Sequence, residues 1–154
     1  MIYLDNAATT RPCKEAITAV QETMEQCFGN ASSLHRMGIN AEKVINGARK
    51  TLLSVLPEGD VYFTSGATES NNTAIFGIAE TYRRTGQRIV TTAMEHPSVA
   101  NPIDKLAERG FEVVRLAPKD FPDFEQALAD AVDDKTMMVS CMAVNNETGF
   151  KVDV

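Results

Sequence analysis

The sequence is poor in cysteine: Cys13, Cys27 and Cys141 are the only three, and no two stand in a C-x-x-C spacing. An odd, scattered set argues against a disulfide framework and against a structural zinc centre. No metal site is expected. Positive charge is also in short supply. The chain has 15 basic residues against 21 acidic ones, a formal net charge of −6, and no basic run. Nonspecific binding to nucleic acid needs cations to neutralise phosphates, so no nucleic-acid partner is expected. No stretch approaches the ~20 consecutive apolar residues of a membrane span, and no membrane role is expected. The first residues, Met1-Ile2-Tyr3-Leu4-Asp5, lack a basic region followed by an apolar run. A secretory leader is therefore not expected, and the cytoplasm is the expected location. The dinucleotide fingerprint G-x-G-x-x-G is missing as well.

What is present suits one folded domain with a real core: 154 residues, 44% of them apolar. Pro12 fits the first turn of a helix, and Ala16, Ile17, Val20, Met24 and Cys27 recur at helical spacing as its inward stripe. Gly29-Asn30 ends that helix, and residues 29–40 are predicted to be a loop rich in Gly, Asn and Ser. A second helix carries Ala41, Val44, Ile45, Ala48, Leu52 and Val55 on one side. Pro57-Glu58-Gly59-Asp60 breaks it. A strand is predicted at 61–64, then a helix from about Thr68 to Arg84. A strand at 88–92 leads to a helix from Ser98 to Arg109. The segment Glu112 to Leu116 is a strand, and Asp123 with Gln126 fits a capping pair at the next helix. The run Thr136 to Met142 is apolar enough that both of its faces should be covered.

From residue 61 onward the predicted order alternates strand and helix. That pattern predicts an α/β fold with a mainly parallel sheet covered by helices. In such sheets ligands gather at the carboxyl ends of strands. Three polar clusters fall at such ends: 65–72, Glu95-His96 and 145–149. One site fed by three loops is the economical reading.

The run Ser65-Gly66-Ala67-Thr68-Glu69-Ser70-Asn71-Asn72 is a polar turn opening a helix. Helix starts carry unpaired N–H groups and partial positive charge, which suit a phosphate. Taken alone, the run is better explained as an ordinary capping turn, because a short Gly-Ala-Thr turn is a weak phosphate signal. A lone histidine such as His96 is ordinarily a surface or satisfied core residue, and turn chemistry alone explains Asn145-Asn146. Glu69 and Glu147 are expected to hydrogen-bond loop backbone.

Taken together, Asp5-Asn6-Ala7-Ala8-Thr9-Thr10, Phe28-Gly29-Asn30, Thr64 to Asn72, Glu95-His96 and Val144 to Gly149 resemble the N-terminal part of a cysteine desulfurase. These are pyridoxal-phosphate enzymes of the class V aminotransferase group. The resemblance runs in order over essentially the whole chain, and is strongest to the branch serving iron–sulfur cluster assembly. It implies part of a fold-type I large domain over 15–154, preceded by an extended segment, 1–14, on the substrate side. It further implies that Ala67 and Thr68 hold the cofactor phosphate and that His96 covers the pyridine ring and passes protons. Asn146 would bond the ring's phenolic oxygen and meet the substrate. Asn6 and Ala7 would line the substrate pocket. Implied partners are L-cysteine, a second subunit of a homodimer, and an iron–sulfur scaffold or other sulfur acceptor.

Such an enzyme also needs a lysine to bond the cofactor's aldehyde, an acid on the ring nitrogen and a mobile cysteine thiolate. Lys14, Lys43, Lys50, Lys105, Lys119, Lys135 and Lys151 match none of the family's lysine motif, and Cys13, Cys27 and Cys141 do not match its cysteine loop. The expectation is an N-terminal fragment of a longer protein, inactive by itself. Alternatives are a selenocysteine lyase or another class V aminotransferase on the same scaffold. A noncatalytic phosphate-binding module, or a structural fragment that dimerises through apolar surface, also stays open.

Overall fold

Short runs rich in Val, Ile, Thr and Met have the composition of strands, and helical patterns separate them. The computed structural model describes residues 2–56 and 58–153. The elements are α1 (Lys14–Gln26), α2 (Arg36–Leu53), α3 (Ala67–Tyr82), β1 (Arg88–Thr92), α4 (Pro97–Glu108), β2 (Glu112–Leu116), α5 (Phe124–Asp130) and β3 (Thr136–Ser140), with a 3-10 turn at Pro118–Asp120. The strands form a parallel sheet in the order β2-β1-β3. Arg88 pairs with Glu112 and Thr92 with Leu116 on one side; Ile89 pairs with Met138 and Thr91 with Ser140 on the other. The α/β architecture is as the sequence predicts.

Two compact units divide the chain, Met1–Phe63 and Thr64–Val154. The sheet and its core lie in the second. Adjacent side chains on a strand face opposite ways, and β1 shows this directly. Ile89 packs with Ile75 and Ala79 of α3, Ile103 and Leu106 of α4, and Met138 of β3. Val90 packs on the other side with Phe124 and Leu128 of α5 and with Val152. At the amino end of the sheet, Arg88 donates to Glu112 and to Asp133, each at 2.6 Å. That fork joins the start of β2 to the turn before β3.

In the first unit the expected inward stripe of α1 is not buried. No residue of α1 is, and Met24 is 72% exposed. On α2 only Gly38 and Ala41 are buried. This helix also begins earlier than the predicted loop allows. Residues 36–40 are helical because the His35 side chain accepts from the Gly38 amide and caps the start.

Residues 61–64 form no strand. A strand needs a ladder partner, and the sheet pairs only β2, β1 and β3. The Val61 carbonyl instead accepts from Arg49 Nε at 2.9 Å, and the Arg49 guanidinium lies 5.6 Å from the Phe63 ring centroid. The last strand ends at Ser140 rather than Met142, and its faces are not both covered: Val139 is 51% exposed. Pro57, expected to help break α2, lies outside the described residues.

Gly86 enters β1 against the backbone of the turn before β3. A Cβ there would sit 2.3 Å from the Lys135 carbonyl oxygen, whereas one on Gly77 in α3 would meet nothing. Gly86→Ala should therefore destabilise by about 1–3 kcal/mol. Gly77→Ala should stabilise by about 0.5–1 kcal/mol through helix propensity. Denaturant unfolding of the two variants checks the opposite signs.

Candidate functional site

The corner before α3 is held by side chains. Both the amide and the hydroxyl of Ser65 donate to Glu69 Oε2, at 2.7 and 2.6 Å. Thr64 Oγ1 lies 2.6 Å from Ser70 Oγ. These bonds fix the turn, and the Ser65 hydroxyl and amide hold the Glu69 carboxyl below its ordinary value of 4.5. None of them uses the first amides of the helix. Gly66 supplies no side-chain cap, and the first helical bond runs from Ser70 N to the Gly66 carbonyl. Among the described residues the amides of Ala67 and Thr68 have no acceptor. An α-helix start in this state attracts an anion.

The loop after β1 reaches the same region. Glu95 Oε1 accepts from Thr92 Oγ1 at 2.7 Å and from the Met142 amide at 2.8 Å. It thereby ties the ends of β1 and β3. His96 then caps α4: its Nδ1 accepts from the Ser98 amide at 3.1 Å, with Pro97 at the first helical position. Asn71 of α3 donates from Nδ2 to Ser98 Oγ at 2.9 Å, linking α3 to α4.

The third loop is organised by Asn145. Its Nδ2 donates to the Met94 carbonyl at 2.9 Å, and its Oδ1 accepts from the amides of Glu147 and Thr148. At 8% exposure it is buried and structural. Asn146 beside it is exposed.

Two cavities meet at His96. One, of about 350 Å³, is lined by Thr68, Asn72, His96, Ser98 and Asn101. The other, of about 270 Å³, is lined by Met94, Glu95, His96, Asn145 and Asn146. The predicted phosphate residue Thr68, the predicted ring residue His96 and the predicted amide Asn146 therefore line adjoining spaces with one shared wall. A larger hollow of about 830 Å³, with Ala117, Lys119 and Phe150 in its lining, lies beyond Met94 and Thr148. It has a mostly apolar lining and does not reach His96. Asn6 and Ala7 lie in the first unit, exposed, on a turn where Thr10 Oγ1 donates to the Asn6 carbonyl at 3.1 Å.

The donor set fits a planar anionic cofactor: free helix-start amides, a hydroxyl, an imidazole face and a carboxamide. Cys141 does not offer a thiolate nucleophile. Burial first, then the charges of Glu95 and Glu125, pushes its thiol pKa above 9.0. The sequence assigns no site role to Ser98, or to Asn71 within its polar run. The one available signal was a serine two residues after the histidine. No helix among the described residues is long and apolar enough to cross a membrane.

Comparison with known proteins places the chain among these folds. Residues 2–154 match the family model for Aminotransferase class-V. A NifS/IcsS protein homolog of Lactobacillus delbrueckii subsp. bulgaricus is 42% identical over 97% of this chain and 40% of its own length. Cysteine desulfurase IscS of Methanosarcina thermophila is 40% identical over 96% of this chain and 37% of its length. The chain thus spans about two fifths of the length of these curated relatives. A solved NIFS-like protein superposes with a TM-score of 0.87 at 34% identity, over 97% of this chain and 42% of that one.

Because Glu69 is held below its ordinary value in the fold, its bonds to Ser65 stabilise the turn above that value. The contribution is lost as pH falls through the lowered folded pKa. Hydrogen exchange at the Ser65 amide should lose protection on acidification below pH 4.5. In Glu69→Gln that pH dependence should vanish.

Proposed function

The chain belongs to the class-V aminotransferase family, and from that premise we propose that it is part of a pyridoxal-phosphate-dependent cysteine desulfurase. The observation that carries the reading is the shared wall. His96 lines one cavity with Thr68 and an adjoining one with Asn146.

In this reading the amides of Ala67 and Thr68, with the Thr68 hydroxyl, bind the phosphate. The His96 ring lies against the pyridine and passes a proton. The Asn146 carboxamide donates to the phenolic oxygen and orients the substrate. The substrate-side role of Asn6 and Ala7 rests on the family resemblance alone. Pyridoxal phosphate, when bound, supplies an electron sink for bond cleavage at an amino acid.

For the whole enzyme the proposed reaction moves the sulfur of L-cysteine onto an enzyme thiol. The products are alanine and an enzyme persulfide, which is passed to an iron–sulfur scaffold or another acceptor. Relatives named cysteine desulfurase support this choice of substrate, as does a structural neighbour titled SspA in complex with cysteine, which matches at a TM-score of 0.80 and 31% identity. The whole enzyme is proposed to be a cytoplasmic homodimer. None of this chain's lysines matches the family's lysine motif, so the chain alone is proposed to be inactive.

Calorimetric titration of the chain should show pyridoxal 5′-phosphate binding more tightly than pyridoxal. Thr68→Ala should weaken the phosphorylated form about tenfold, the loss of one charge-assisted hydrogen bond. Equal binding of the two compounds, or tighter binding of a nucleotide, would overturn the assignment. Incubated with L-cysteine and the cofactor, the chain should release no sulfide above a protein-free blank. A measurable rate would refute its inactivity.

A further inference from the structure

We propose that Asn71 and Ser98 are positioning residues that fix His96 in one tautomer, with the ring proton on Nε2. The direction of each hydrogen bond decides this. A backbone amide can only donate, and the Ser98 amide lies 3.1 Å from Nδ1. Nδ1 must therefore carry a lone pair. Ser98 Oγ, 2.8 Å from the same nitrogen, must then donate its hydrogen to it. With that hydrogen committed, the oxygen has only lone pairs to offer, and Asn71 Nδ2 donates to it at 2.9 Å. The bonds run one way, from the Asn71 carboxamide through the Ser98 hydroxyl to the imidazole, and each polarises the next. Ser98, the middle link, is buried at 8% exposure.

A neutral imidazole held this way has its proton on Nε2. That nitrogen makes no hydrogen bond among the described residues, and His96 lines both cavities. The site is thereby given a donor at Nε2, and the acceptor nitrogen is turned inward. His35 supplies an internal contrast. It also caps a helix through Nδ1, accepting from the Gly38 amide at 3.4 Å, and no side-chain hydroxyl is bonded to it. The importance of the lock for catalysis rests on the functional reading above. The tautomer itself does not depend on it.

The chain has two histidines, so 15N-histidine labelling gives two imidazole spin systems. Long-range 1H–15N correlation is recorded about two units above the ordinary histidine pKa of ~6.5. His96 should show a protonated Nε2 and an unprotonated Nδ1 moved upfield by its donors. Ser98→Ala should shift Nδ1 downfield, toward an unbonded nitrogen, and leave His35 unmoved. Ser98→Thr should restore the original position. Asn71→Asp should reproduce the downfield shift with Ser98 intact, because a carboxylate draws the hydroxyl hydrogen away from the ring. If neither Ser98→Ala nor Asn71→Asp moves Nδ1, or if His96 carries its proton on Nδ1, the proposal is wrong. Should Ser98→Ala not fold, the near-isosteric Asn71→Asp decides alone. No cofactor is in the sample, so this outcome and that of the cofactor titration are independent.

Discussion

A helix begins with N–H groups that its own backbone cannot satisfy. How each helix of the second unit meets that requirement determines where a ligand fits. In α4 the His96 side chain answers it, and in α5 the Asp123 carboxylate accepts from the Gln126 amide. At α3 the nearby polar side chains are occupied with one another. Glu69 is taken by Ser65, and Thr64 by Ser70. An acid in the first turn would ordinarily neutralise the dipole there. Because Ser65 holds this one, the amides of Ala67 and Thr68 are left for an external acceptor.

A free helix start is useful only if its surroundings hold still, and loops at a sheet edge are ordinarily mobile. Here three hydrogen bonds between distant segments pin them. Asn71 reaches Ser98, Glu95 reaches the Met142 amide, and Asn145 reaches the Met94 carbonyl. All three are partly buried, where such bonds are stronger than in water. The first joins α3 to α4, and the other two both join the loop after β1 to the segment after β3. The position of His96 therefore follows from α3 and β3 as much as from its own strand.

Much of the second unit was legible because local chemistry and tertiary context agree there. β1 and β2 occupy the residues read as strands, and Asp123 caps α5 as its spacing with Gln126 indicates. The misreadings fall where a partner decides. Residues 61–64 have strand composition, yet composition supplies no ladder, and Arg49 takes the Val61 carbonyl instead. The start of α2 was hidden because histidine is not among the preferred capping residues. The centre of β3 is apolar, which predicts cover on both faces, but cover depends on what lies opposite and Val139 has little. Thr68, His96 and Asn146, proposed from contiguous motifs, line two adjoining cavities. The Asn71–Ser98 link spans 27 residues and leaves no local trace.

The identity of residue 96 follows from two demands made on one position. It caps α4, and it lines a cavity with Thr68, where the proposed function seats an anion. Aspartate would cap at least as well, since carboxylates are favoured at helix starts. It would also place a negative charge beside Thr68 and the open helix start, which would repel an anion. Serine or asparagine would avoid the charge but present no aromatic face. Histidine is neutral or positive and never negative, and its two nitrogens separate the duties. Nδ1 is consumed by the cap and the Ser98 hydroxyl, which leaves the ring face and Nε2 for the cavity. The weaker capping preference of histidine is thus offset by what the other half of the ring can do, and Ser98 strengthens the half that caps.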